Sequence, residues 1–230
     1  DMAVLGAYPF DPAMQLWAFP LLWFGFGSLG GVFPFHTWSP DGHAAAPTAV
    51  SMLHAGVLMK LGAFGVIRVG MMMLPEGALF WAPYVGGVAL INIVYGAVAA
   101  MTQKDMKYIV AYSSVSHMGV VMLGAATLTV EGWNGAIYQM VAHGLMTGLF
   151  FALIGLVYSQ THTRDVTKMG GFAKVMPGAA VFFTIAALSS LGLPGLAGFV
   201  AEFLVFMGAW KSEWAWWAIP GIIGAWITAV

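Results

Sequence analysis

Cysteine is absent from all 230 residues. That excludes disulfides, thiolate metal sites and cysteine-ligated iron–sulfur clusters in this chain. Charge is almost as scarce. Lysine and arginine number 8 and aspartate and glutamate 9, together 7% of the residues, against roughly 25% in soluble globular domains. A net charge of −1 offers no electrostatic basis for binding nucleic acid. The 30 glycines are scattered along apolar stretches and form no phosphate-cradling loop. The histidines show no short ligand spacing, and "THTRD" at 161–165 sits in a basic loop, so no metal site is expected. Segments of about 10 residues alternating apolar and polar, the mark of a membrane β-barrel, are also missing.

What remains is apolar: 60% of the residues are hydrophobic, in runs of the roughly 20 residues that one helical crossing of a bilayer needs. The expected fold is all-α, a polytopic transmembrane helix bundle in direct contact with lipid. About seven spans are expected, at 14–35, 47–73, 80–102, 107–127, 134–158, 177–210 and from 217 onward. Residues 1–230 read as one transmembrane domain. Asp1 at the start and Val230 inside an apolar run suggest a piece of a longer protein.

Two spans carry disturbances. "SLGLPGLAGF" at 190–199 places Pro194 among glycines within the sixth span, and "GSLGGVFPF" at 27–35 places Pro34 late in the first. Proline removes a backbone donor, and interrupted helices persist at membrane depth only where protein or a polar cavity satisfies the freed carbonyls. Alternating the loops puts 36–46, 103–106 and 159–176 on one side, with Lys104, Lys107, Arg164, Lys168 and Lys174. The positive-inside rule makes that side cytoplasmic. Trp81, Trp210, Trp214, Trp216 and Trp217 fall near the other side, as an aromatic belt does.

Five ionisable residues stand well inside spans: His54, Lys60, His117, His143 and Glu202. A charge at the bilayer centre costs about 2.5–3.5 kcal/mol on insertion scales, so an ionisable group kept there usually faces the bundle interior and serves ions or protons. Lys60 stands roughly 20 Å into its helix at 1.5 Å per residue, too deep to snorkel easily. It is either a proton carrier, balanced between desolvation and a carboxylate, or one half of a static interhelical ion pair. Glu202 is the one acidic residue within a span. It suits the terminal carboxylate of a proton path, or a neutral acid bonding a carbonyl freed by the Pro194 break. Imidazole accepts on one nitrogen while donating from the other, so His117 and His143 suit a relay. His54 is about 240° round a regular helix from Lys60 and shares no face with it.

These residues sit in blocks that resemble a known family. "FPFHTWSPDGHAAAPTA" (33–49), "GVLMKLGAFGVIR" (56–68), "KDMKYIVAYSSVSHMG" (104–119), "QMVAHGLMTGLFF" (139–151), "THTRDVTKMGG" (161–171) and "SLGLPGLAGFVAEF" (190–203) resemble, in that order, the antiporter-like subunits of respiratory complex I. The likeness is strongest to the branch called subunit M in bacteria. It implies about fourteen helices in the full protein, of which this chain supplies the seventh to the thirteenth. It further implies a hydrated path at mid-membrane depth through Lys60, His117, His143 and Glu202, driven by quinone reduction elsewhere in the complex. No cofactor is then expected in this chain; flavin, iron–sulfur clusters and quinone belong to partner subunits, and the partners are the other membrane-arm subunits. A bacterial plasma membrane is the expected location.

The chain also departs from that pattern. The lysine usual in the family's seventh helix is replaced by Leu29, 31 residues before Lys60. His54 stands where leucine is common, as in the sister L and Mrp antiporter subunits. The expectation is that His54, or water, takes over part of the missing lysine's role. Two related functions share the resemblance: an Mrp-type cation/proton antiporter, and a membrane subunit of an energy-converting hydrogenase or formate hydrogenlyase.

Overall fold

The structure is a computed structural model and describes residues 2–228. Asp1, Ala229 and Val230 lie outside the described residues, so the last expected span is followed only to Thr228. The fold is an all-α bundle with interrupted helices. After the short α1 (Met2–Gly6) come α2 (Pro12–Leu29) and α3 (Trp38–Ala45). Four longer helices follow: α4 (Thr48–Met71), α5 (Pro75–Met101), α6 (Met106–Ala126) and α7 (Val130–Thr161). The chain continues through α8 (Pro177–Ser190), α9 (Ala197–Lys211) and α10 (Ala218–Thr228).

Local chemistry sets these boundaries. Asp11 caps α2 by accepting from the Met14 amide at 3.1 Å, with Pro12 occupying the first turn where its missing N–H costs nothing. Pro75 starts α5 in the same way, five residues before the expected start at 80. Asp105 caps α6 and Thr129 caps α7. With 83% of its apolar window buried, α6 is the central post, against 50% for each of the other three long helices. Met118, Met122 and Leu123 on α6 pack into one core with Phe19 of α2, Met59 of α4, Ile93 of α5 and Trp217.

Both disturbances separate helix pieces. The sixth expected span is two helices, α8 and α9, joined by residues 191–196 with Pro194 in the turn. The first is corrected at two points: α2 stops at Leu29 rather than running to 35, and 36–46, expected as a loop, holds α3. Pro34 therefore sits between helices. A buried Asn92 on α5 satisfies the broken backbone, since its Oδ1 accepts from the Phe33 amide at 2.7 Å and its Nδ2 donates to the Val115 carbonyl at 2.8 Å. Asn92 thus ties the break to both α5 and α6.

The expected loop side is a single end of the bundle. The Val166 amide donates to the Lys104 carbonyl at 2.9 Å and the Met106 amide to the Arg164 carbonyl at 3.0 Å. Arg164 Nη1 reaches the Ala44 carbonyl at 2.9 Å. The opposite end carries the Lys211–Glu131 ion pair and the stacked Trp214 and Trp217.

Candidate functional site

Within α4, residues His54–Leu58 and Val66–Met71 form wide π-helical turns, which the sequence pattern did not reveal. Such turns slacken the regular carbonyl ladder and recur at functional sites. Here the Ala55 carbonyl accepts from Lys60 Nζ, the side chain five residues on. At the same level α4 meets α7 almost backbone to backbone. A Cβ added to Gly144 would lie 2.8 Å from the Gly56 carbonyl oxygen, so only glycine permits the approach. Next to Gly144 is His143, whose Nδ1 lies 2.6 Å from Lys60 Nζ.

From there a row of titratable groups crosses the bundle. The His143 and His117 rings are 5.0 Å apart between centroids, tilted by 42°. His117 Nδ1 stands 3.5 Å from Glu202 Oε1, with only 4% and 14% of those side chains exposed. Its Nε2 is 3.2 Å from Ser190 Oγ, and Gln139 Nε2 lies 3.3 Å from Nδ1. Glu202 reaches the row by lying over the turn between α8 and α9. Gly192 holds φ +60 there, and a Cβ on it would come within 2.6 Å of Glu202 Oε2. The break marked by Pro194 therefore makes the space the carboxylate occupies.

The four helices α4, α7, α6 and α9 each contribute one member: Lys60, His143, His117 and Glu202. His54 stands apart from the row. Its ring stacks on His43 of α3 at 4.0 Å and on Trp38 at 4.9 Å, and His43 stacks in turn on Phe151 of α7 at 5.0 Å.

Chemically the row can hold and pass protons. Lys60 has no carboxylate within ion-pairing distance among the described residues. As an ammonium it donates to the Ala55 carbonyl and to His143 Nδ1; as an amine it accepts from a protonated His143. The His143 Nε2 atom is buried with no hydrogen-bond partner among the described residues. With the two rings 5.0 Å apart, a water between them would satisfy this atom and link it to His117, since buried polar atoms normally find a partner. His117 Nδ1 has two uses: bare, it accepts from the Gln139 amide; protonated, it donates towards Glu202.

Sequence reasoning missed His36 and His43, both buried, with no ring nitrogen bonded among the described residues. His43 lies on α3 and His36 two residues before its start, in a segment that the sequence pattern assigns to a loop. Sequence reasoning also counted Lys107 among the charges of the loop side. Lys107 is 5% exposed, and its Nζ donates to the Ala46 carbonyl at 2.5 Å and to Ser51 Oγ at 3.3 Å. Beside it Arg164 Nη2 pairs with Asp105 at 3.0 Å. In the neighbouring loop the Thr167 hydroxyl and amide donate to Asp165 and hold its carboxyl below the ordinary value of 3.8.

Residues 5–228 match the family described as NADH:quinone oxidoreductase/Mrp antiporter, TM. Over 213 residues the chain is 45% identical to NAD(P)H-quinone oxidoreductase chain 4 1 of Synechococcus sp. (strain JA-3-3Ab), covering 93% of this chain and 40% of that protein. It is also 45% identical to NAD(P)H-quinone oxidoreductase chain 4 2 of Microcystis aeruginosa, covering 93% and 38%. The chain therefore spans about two fifths of the length of these curated relatives. Among solved structures, respiratory complex I from Thermus thermophilus with bound NADH contains a chain similar at TM-score 0.93 and 33% identity, over 99% of this chain and 49% of that one. The Mrp complex from Dietzia sp. shares the fold at TM-score 0.92 and 23% identity, over 100% and 43%.

Proposed function

The chain belongs to the NADH:quinone oxidoreductase/Mrp antiporter family of transmembrane proteins, and from that premise we propose that it is part of a proton-translocating membrane-arm subunit of a quinone oxidoreductase. The observation that carries the reading is the row from Lys60 through His143 and His117 to Glu202, buried across four helices. Each member can change protonation, and neighbouring members lie within direct or one-water reach. A charge change at either end therefore alters the cost of a proton at the next position.

In this reading the chain holds no redox centre; flavin, iron–sulfur clusters and quinone lie in partner subunits, and electron transfer there biases Lys60. A proton passes from Lys60 to His143, through water to His117 Nδ1, and on to Glu202 Oε1. The lysine-bearing end, that of Lys104, Lys107, Lys168 and Lys174, faces the cytoplasm of a bacterial cell. Likeness to the Mrp complex at 23% identity concerns fold alone. The relatives at 45% identity carry the quinone oxidoreductase name, which supports quinone-coupled work over an ion-gradient antiporter.

The test is proton uptake into inverted membrane vesicles energised through the native complex, with quinone reduction and assembly followed in parallel. Lys60→Ala and Glu202→Gln, once assembled, should lose most of the uptake and slow the coupled quinone reduction. Normal uptake by both assembled variants would make the row a structural polar network.

A further inference from the structure

We propose that a hydroxyl-bearing cleft between α5, α6, α8 and α10 is a second aqueous inlet, which loads His117 through Ser190 from the lysine-bearing end without passing Lys60. This rests on the proton-translocating reading above and adds a branch to it.

The cleft has a volume of about 420 Å³. At about 30 Å³ per molecule that is room for roughly ten waters. Its polar lining is graded with depth. Gln103 stands at the lysine-bearing end, Ser113 lies roughly 10 Å further along α6 at 1.5 Å per residue, and Ser190 and Thr228 lie deeper. Ser113 Oγ donates to the Val110 carbonyl at 2.9 Å and Thr228 Oγ1 to the Gly224 carbonyl at 3.1 Å. The Ser113 oxygen keeps its lone pairs for water, whereas Thr228 Oγ1 also lies 2.9 Å from Ser116 Oγ. Apolar side chains such as Phe150 and Ala187 complete the wall.

Ser190 is the residue shared by cleft and row. It lines the cleft, and its Oγ is 3.2 Å from His117 Nε2 on the ring edge facing away from Glu202. It is also the last residue of α8, so the break that makes room for Glu202 brings the hydroxyl to the histidine. The step balances. A proton carried by cleft water bonds to Ser190 Oγ as the Oγ–H proton passes to His117 Nε2, which leaves a neutral hydroxyl and an imidazolium beside the Glu202 carboxylate. No redox partner is needed. His117, neutral with its proton on Nδ1, thus takes the inlet proton on Nε2 and hands the Nδ1 proton to Glu202; exchange of the remaining proton from Nε2 to Nδ1 through water resets the ring.

Residues 1–230 contain no cysteine, so single cysteines placed there report solvent access within the assembled native complex when labelling is read on the peptide that carries them. Ser113→Cys and Ser190→Cys are treated with a membrane-impermeant, thiol-specific sulfonate reagent in sealed vesicles of each orientation, and the mass of that peptide is read. Lys174→Cys and Lys211→Cys mark the two ends, and Leu145→Cys, on an exposed apolar face, marks a lipid-like environment. Both cleft positions should label from the Lys174→Cys side, about tenfold faster than Leu145→Cys. Labelling only from the Lys211→Cys side, or no labelling at Ser113→Cys while Lys174→Cys reacts, would overturn the inlet. The latter is also the outcome expected if a lipid chain fills the cleft. Ser190→Ala should slow proton uptake severalfold and Ser190→Thr should restore it; equal uptake by both would remove Ser190 from the route. Failure of the parent reading looks different: the inlet only supplies His117, and the charge on Lys60 and His143 still drives the His117 proton to Glu202, so an assembled Lys60→Ala that pumps normally overturns the parent reading whatever the labelling.

Discussion

Lys60 and Lys107 are buried to nearly the same degree, 8% and 5% exposed, yet their surroundings differ in kind. Lys107 is the second residue of α6, at the lysine-bearing end. It bonds to the Ala46 carbonyl and the Ser51 hydroxyl, beside an Arg164–Asp105 pair that also holds the Ala44 carbonyl. Each partner is a fixed acceptor, so the cluster rivets α3, α4, α6 and the loop after α7. Lys60 lies in mid-helix against one carbonyl and an imidazole, and His143 continues to a second imidazole and a carboxylate. A buried cation given only acceptors without protons to trade is a structural tie. One given a titratable partner can trade its proton.

The largest expected effect breaks the row at its second member. His143→Leu puts an apolar side chain of similar bulk beside Gly144 and severs Lys60 from His117. Proton uptake per assembled complex should fall about as far as in Lys60→Ala, and uptake above half the native rate would remove His143 from the path. His54→Leu comes next. It leaves the row intact and removes the imidazole stacked on His43, so uptake should fall only in part, by severalfold. Unchanged pumping would show that His54 takes over nothing from the lysine missing at Leu29.

The row was partly legible in the sequence, and the reasons differ by residue. Lys60, His117, His143 and Glu202 stood out because each puts a polar group where hydrophobicity demands an apolar one. Nothing local showed that Lys60 meets His143, 83 residues away; that depends on the Gly56–Gly144 approach and the π-helical turns. Hydropathy located the long helices, and Pro194 located the break between α8 and α9. It failed at α3, because "WSPDGHAA" contains proline, aspartate and glycine and reads as loop by propensity. It failed at Lys107 because a charge two residues into a helix looks solvated until the Ala46 and Ser51 acceptors are seen.

Smaller effects sharpen the contrast from the rivet side. Ser51→Ala removes an acceptor of Lys107 and the donor to the His43 carbonyl. It should destabilise the assembled subunit by about 1–3 kcal/mol, the range for leaving buried polar groups unpaired, while uptake per surviving complex stays native; a thermal assembly assay reads it. The smallest effect is at Asp165. Its carboxyl is held below 3.8 by Thr167, so its contribution to loop stability is fully present above that pH and is lost as pH falls through the lower folded-state value. Asp165→Asn should flatten the acid limb of loop protection in limited proteolysis. An unaltered limb would place the acid sensitivity elsewhere.

The most direct measurement sets Lys60→Ala beside Lys107→Ala in inverted vesicles, with proton uptake normalised to assembled complex and melting temperature recorded on the same samples. The account predicts opposite patterns: Lys60→Ala assembles but pumps at about a tenth of the native rate or less, while Lys107→Ala melts lower yet pumps normally per complex. If Lys107→Ala loses pumping while Lys60→Ala retains it, or if both lose only stability, the row from Lys60 to Glu202 is not the proton path.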